Sequence, residues 1–242
     1  QNYTTSGLDY SYGPQKKENR LLTLYANYNK LVESIKSSFD VTAGYDYQYW
    51  KATTPLYYEM NTLGEIQKTS KAKDERHVLL SYYGRLNYSF DSRYMLTTTI
   101  RRDATSRFAK NVRWGTFPSV ALGWRVTEES FLKDNKVLSN LKIRASYGVT
   151  GQQDGIGNYN YLPIYTQSQN GAEGIMGNEY IHTYRPSSYV PDLKWETTTS
   201  WNIGFDFGFL KDRITGSFDY YTRQTKDLIA TVPAAAGTTF DR

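Results

Sequence analysis

The chain has 242 residues, 39% apolar and 22% charged, with 23 Tyr, no Cys and a net charge of +5. No more than three apolar residues stand in a row, so a membrane-spanning helix, which needs roughly 18 to 20, is excluded. The lack of Cys removes disulfides, zinc ribbons and thiol chemistry, and basic residues scattered along the whole chain argue against a nucleic-acid partner.

The chain opens QNYTTSGLDY, with neither an initiator Met nor a signal-like apolar region, and reads as a processed chain or a fragment. A period-two pattern begins at 22–28 and is strongest over 35–49. There the odd positions run Ile, Ser, Phe, Val, Ala, Tyr, Tyr, Tyr and the even ones Lys, Ser, Asp, Thr, Gly, Asp, Gln. Successive strand side chains point to opposite faces, so this is a long strand with one apolar and one wet face. Only a few residues near 31–33 separate these two strands. A polar stretch follows over 51–76, where Lys68, Lys71, Lys73 and Arg76 stand among Asp74 and Glu75 and read as a solvated loop.

Further strands are expected at 78–90 and 94–102, joined by a tight turn at Asp91-Ser92. An open loop over 103–113 leads to a strand at 118–126. Residues 127–140 are the exception to period two: Thr127 is placed to cap a short helical turn, with Glu128 and Glu129 near its positive end. Leu141, Ile143, Ala145, Tyr147 and Val149 then alternate with Lys142, Arg144, Ser146 and Gly148. The longest loop, 151–193, is rich in Gly, Asn, Gln and Tyr. Trp201, Ile203, Phe205, Phe207 and Phe209 alternate with Asn202, Gly204, Asp206 and Gly208, and a tight turn at Lys211-Asp212 leads to the last strand, 214–220, and a Gly- and Ala-containing tail.

This makes about eight strands, with short turns on one side and long loops on the other, the arrangement of an outer-membrane barrel. A soluble β-sandwich shows the same alternation. Two features favour the barrel: strands of 10 to 15 residues, about what a tilted bilayer crossing requires, and aromatics at strand ends. Tyr45, Tyr47, Tyr49 and Trp50 gather at one end and Phe207 and Phe209 at the other, as in interfacial girdles.

The segments GRLNYSF, RYMLTTTIRRDATSRFAKNVRWGTFPSVALGWRVTEESF, LSNLKIRASYGVTGQQDGIGNYNY and LKWETTTSWNIGFDFGF, within 84–209, resemble the barrel of SusC/RagA-type TonB-dependent outer-membrane transporters. More loosely, the resemblance runs from about residue 20 to 233. Ala104 stands where the family typically has Gly, and Thr105 and Ala109 also depart from its pattern, which puts the turn there in question because Gly favours positive φ. The resemblance implies an all-β, antiparallel membrane barrel of the 22-stranded plugged class. Residues 1–242 would form part of that one barrel domain, with the plug and the TonB-contacting N-terminal segment absent. It also implies import of a glycan or peptide across the outer membrane, a SusD-like surface lipoprotein as lid, TonB as the source of force, and lipid around the wall. A smaller barrel acting as adhesin or anchor, and a soluble β-rich carbohydrate-binding module, stay open on the residues alone.

No catalytic constellation, cofactor motif or metal-ligand spacing stands out, so the chain reads as non-enzymatic. His77, at a strand start, and His182, in the long loop, lack spaced partners for a metal. Gly155-Ile156-Gly157 has neither a following helix nor a third spaced Gly. The Arg101-Arg102-Asp103 run and Arg107 suit either an anionic ligand or lipid head group, or pairing with charges at a barrel rim. Asp40, Asp46, Lys142, Arg144, Asn202 and Asp206 fall on the polar, lumen-facing side. Tyr159, Tyr161, Tyr165 and Tyr184 in the long loop suit stacking on sugar rings, gripping the lid, or packing within the loop; its length favours a role in partner or cargo contact.

Overall fold

A computed structural model describes residues 8–11, 15–61, 63–132, 135–167, 173–187 and 189–230. The tail from 231 lies outside the described residues. Eight long strands form one sheet: β1 (Lys16–Val32), β2 (Ser37–Thr54), β3 (Lys73–Phe90), β4 (Tyr94–Thr105), β5 (Trp114–Arg125), β6 (Leu138–Gln152), β7 (Glu196–Phe209) and β8 (Ile214–Lys226). Every strand pairs antiparallel with its sequence neighbours, giving a pure meander whose β1 and β8 edges do not pair with each other.

The period-two pattern survives as two continuous faces because registers pair like with like. Tyr28, Val41, Leu86, Thr98, Val120, Tyr147, Trp201 and Thr222 follow one another across the sheet, strand by strand. Among the described residues no second layer covers this apolar side, for Leu24 is 57% exposed, Ile203 56% and Tyr220 63%. The opposite side carries Asp40, Asp46, Asn87, Arg101, Lys142, Arg144, Asn202 and Asp206, including all six residues expected there.

The turns at one end are short because their residues accept positive φ. Asp91 (φ 48°) and Ser92 (φ 54°) make the two successive left-handed steps that match strand twist in a tight hairpin, closed by Arg93 N–H donating to Phe90 O at 2.9 Å. Lys36 (φ 49°) closes the β1–β2 turn, and Leu210, Lys211 and Asp212 (φ 53°, 60° and 59°) form the β7–β8 turn. Asp212 N–H donates to Ser139 Oγ at 3.0 Å.

Three expectations need correction. The helical turn over 127–140 is reduced to a single 3-10 turn, Val126–Glu128, without a side-chain cap. Thr127 Oγ1 instead accepts from Leu141 N–H at 3.5 Å, and Glu129 is drawn back to the strand ends by Tyr94 OH, by Trp124 Nε1 at 3.0 Å and by Arg93 at 3.4 Å. Those hydrogen bonds, Tyr94 first, hold the Glu129 carboxyl below its ordinary range. The strands also run further into the supposed loops. β2 and β3 stay paired to Thr54 and Lys73, and Ala104 is a buried strand residue without positive φ, so Ala is sterically adequate there. Finally, the long loops contain small sheets: Tyr57–Met60 with Leu8–Ser11 and Ile66–Ser70, Tyr165–Gln167 with Tyr184–Pro186, and Glu173–Met176 with Glu179–His182.

Candidate functional site

The polar face is preorganised by charge pairs that cross strands. Arg144 on β6 donates to both oxygens of Asp206 on β7 at 3.0 and 2.8 Å and reaches Asp219 on β8 at 3.1 Å. A Cβ at residue 204 would meet Asp219 Oδ1 at 2.4 Å, so Gly204 is what lets Asp219 lean across β7 to reach Arg144. Arg101 binds both oxygens of Asp103 on its own strand at 2.9 and 3.0 Å, and across strands it donates to Ser81 Oγ on β3 at 2.8 Å and stands 3.5 Å from Asp46 on β2. Its guanidinium lies 5.7 Å from the Tyr83 ring centroid. Ser81 and Asp103 are buried, and these bonds satisfy polar groups that would otherwise be costly there.

Arg102, the next residue, points to the other face and sits 5.0 Å from the centroid of Trp114. The Arg101-Arg102-Asp103 run therefore divides between the two sides of the wall. Trp114 lies beside Tyr82, which contacts Tyr45, while Tyr147 packs on Trp201. At the short-turn end Phe90, Tyr94 and Trp124 stack in a row. On the apolar face the Phe90–Tyr94–Trp124 row thus marks the short-turn end and the Trp114–Tyr82–Tyr45 group lies toward the long-loop end, with the Tyr147–Trp201 pair between them in register. Trp50 does not join them: it is an even residue of β2, faces the polar side and stacks on His77 with ring centroids 4.1 Å apart and 2° between planes.

At the long-loop end the polar face acquires the one buried apolar cluster among the described residues. Phe108, Phe117 and Trp195 meet edge to face, ringed by Leu79, Val112, Val149, Ile156 and Leu193. Trp195 Nε1 donates to Arg113 O at 2.9 Å. This cluster ties the base of the long loop to the wall.

Arg107 adds a polar clamp. Its Nε donates to Asn158 Oδ1 at 3.2 Å, an Nη donates to Gln153 O at 3.3 Å, and Asp154 stands 3.6 Å away. Tyr159 OH accepts the Arg76 N–H at 3.2 Å. Burial, with help from Arg107, pushes the His77 imidazole down to about 4, so it is neutral at ordinary pH.

The six residues singled out from sequence thus fall into three places. Arg101 is on the wall, Arg107, Tyr159 and Tyr161 are at the half-buried loop base, and Tyr165 and Tyr184 are on an outer hairpin, 66% and 61% exposed. Pairing of Tyr165 with Pro186 and of Gln167 with Tyr184 puts Tyr165 and Tyr184 diagonally on one face. Sequence reasoning placed Trp50 in the girdle and His77 as a histidine without spaced metal partners, and it missed that the two stack on the polar side. The available signal was Trp50 itself, a large aromatic on the wet side of an otherwise regular alternation. No group of three or more metal-ligating side chains occurs among the described residues.

Comparison with known proteins follows this architecture. The family model for the TonB dependent receptor-like β-barrel matches residues 1–242. The chain is 43% identical over 230 residues to TonB-dependent receptor SusC of Bacteroides thetaiotaomicron, covering 89% of the chain and 22% of that protein. It is 33% identical over 234 residues to TonB-dependent receptor P39 of Formosa agariphila, covering 89% of the chain and 21% of that protein. The chain therefore spans about a fifth of the length of these curated relatives. In fold it is similar to a solved structure of the RagAB peptide transporter, with a TM-score of 0.75 at 24% identity over 91% of this chain and 25% of that one.

Proposed function

The chain belongs to the TonB-dependent receptor-like β-barrel family, and on that premise we propose that it builds eight consecutive wall strands of a larger outer-membrane barrel that imports a glycan or peptide. The observation that carries this reading is the sheet itself, which among the described residues is a single layer, apolar on one side, polar on the other and unpaired at both edges. In hydrocarbon each unsatisfied backbone group costs several kcal/mol, so such a sheet is stable there only when further strands close it. An eight-stranded barrel complete in itself would pair β1 with β8, and these strands do not pair. A soluble module would cover Leu24, Ile203 and Tyr220 with a second layer.

The short turns then face the periplasm and the long loops the outside. The charge-paired inner wall borders the solute path or a plug, TonB supplies force through segments beyond this chain, and a SusD-like lipoprotein closes the mouth. Likeness to TonB-dependent receptor SusC supports that partner and mode of transport. Tyr165 and Tyr184, exposed on the outer hairpin, are the contacts offered to lid or cargo, whereas Arg107 and Tyr159 hold the loop base.

The test is deletion of residues 160–185 in the complete protein that contains this chain, expressed in its own outer membrane. Loss of lipoprotein co-purification or of cargo uptake, with the protein still membrane-embedded, is the expected result. Unchanged values for both would remove the role of this loop.

A further inference from the structure

The row Asn19–Trp50–His77 runs across β1, β2 and β3 on the polar face at the long-loop end, and the next row outward is Lys17–Ala52–Glu75. His77 covers one face of the Trp50 indole. The stacked pair, Trp50 and His77 together, borders a cavity of about 310 Å3 whose lining also includes Lys17, Asn19, Ala52, Glu75 and, from the long loop, Asn158. That volume lies at the low end of the ~300–1,000 Å3 usual for small-molecule sites. Ala52 leaves the floor low between two long polar neighbours, and the lining offers both donors and acceptors. His77 Nε2 is buried at this place without a hydrogen-bond partner, and the neutral ring it belongs to stiffens the stack.

We propose that this cavity is a saccharide subsite in which the Trp50 indole, held by its stack on His77, packs on the apolar C–H face of a pyranose. Asn19, Asn158 and Glu75 hydrogen-bond its hydroxyls from the sides. The pattern is that of sugar recognition: one rigid amphipathic ring carries the contact area, and short amides and a carboxylate at its margin read the hydroxyls. This assignment rests on the importer reading above and narrows its cargo class from glycan or peptide to glycan.

The experiment is calorimetric titration of the complete protein in detergent with maltohexaose, cellohexaose, laminarihexaose and mannohexaose, and with a neutral hexapeptide as control. At least one saccharide is expected to bind the native protein. Trp50→Ala is expected to weaken that binding about tenfold and Trp50→Phe to retain most of it, a difference of about 1.4 kcal/mol. Ala52→Leu, which fills the floor without touching the stack, is expected to weaken it similarly. Each variant is scored only with the heat-modifiable migration of a folded barrel. Native-like affinity in either Trp50→Ala or Ala52→Leu, or binding of the hexapeptide alone, overturns the subsite, as does failure of all four sugars to bind. Outer-membrane fractionation and peptide uptake by the same strains report the importer reading separately, so the subsite can fail while that reading stands.

Discussion

The ring of Phe117 occupies the space where a side chain on residue 151 would begin: a Cβ on Gly151 would fall 2.1 Å from Phe117 Cζ. Gly115, on Phe117's own strand, is nearly as close, with a Cβ falling 2.4 Å from the same atom. Neither contact is with the loose end of a flexible chain, because Phe117 is wedged edge to face against buried Trp195. Gly151→Ala should therefore destabilise the barrel by about 1–3 kcal/mol through overpacking. The temperature at which heat-modifiable migration is lost measures this, and Phe117→Leu in the same background should recover part of the loss.

The two faces make a sharper prediction. Ile203 and Asn202 are adjacent on β7 and point to opposite sides. If the apolar side meets lipid, Ile203→Arg should cost about 2–4 kcal/mol near the bilayer midplane. Asn202→Arg, on the hydrated side beside Arg144, should cost well under half as much, chiefly from like-charge repulsion. Folding yield into vesicles under urea titration gives both numbers, and equal costs would reverse the assignment of faces.

The strands and their faces were legible because they depend on alternation alone, and a single sheet with one apolar and one polar face keeps alternation regular from end to end. What escaped was everything set by register. Trp50 differs from Tyr49 by one position, and that single step moves it from the girdle to the polar side, opposite His77. Phe108 and Trp195 are distant in sequence, and nothing local marks either as half of a cluster. The helical signal at Thr127 was a genuine capping pattern, overridden when Tyr94, Trp124 and Arg93 claimed Glu129. The small sheets in the loops also escaped, since Leu8–Ser11 finds Tyr57–Met60 across the intervening residues 12–56, beyond any short-range turn rule.

His77 makes closure of the long-loop base depend on pH. Burial and the nearby Arg107 hold its imidazole at about 4 in the closed form, while a released, solvated ring titrates near 6.5. Asp154, the opposing charge at this spot, lies on the open side of Arg107 and only partly offsets it. Between those two values the released form binds a proton that the closed form does not, so closure is fully favourable above about 6.5 and weakens as pH falls toward 4. Amide exchange in residues 153–160, corrected for intrinsic rates, should accelerate over that window. His77→Gln, which does not titrate, should show no such slope.

Arg107 should prove the main polar tie of the same segment. Its guanidinium joins the Asn158 side chain and the Gln153 carbonyl at once, and hydrogen bonds from a charged donor contribute about 1.5–3 kcal/mol. The Asp154 contact adds little, because that carboxylate is 76% exposed and surface pairs are worth about 0–1 kcal/mol. Arg107→Ala should therefore raise opening of 153–160 by a factor of roughly 10–100, read as faster amide exchange. Asp154→Asn should change it by less than about fivefold. Arg107→Lys should not restore protection, since one ammonium on a flexible stem cannot hold both acceptors in the geometry of a planar fork. The Phe108–Phe117–Trp195 cluster lies on the wall side of this clamp, so the exchange of residues 114–125 should stay native in all three variants. If those wall amides loosen together with the loop, clamp and cluster form one cooperative unit, and Arg107 does not act separately from the cluster.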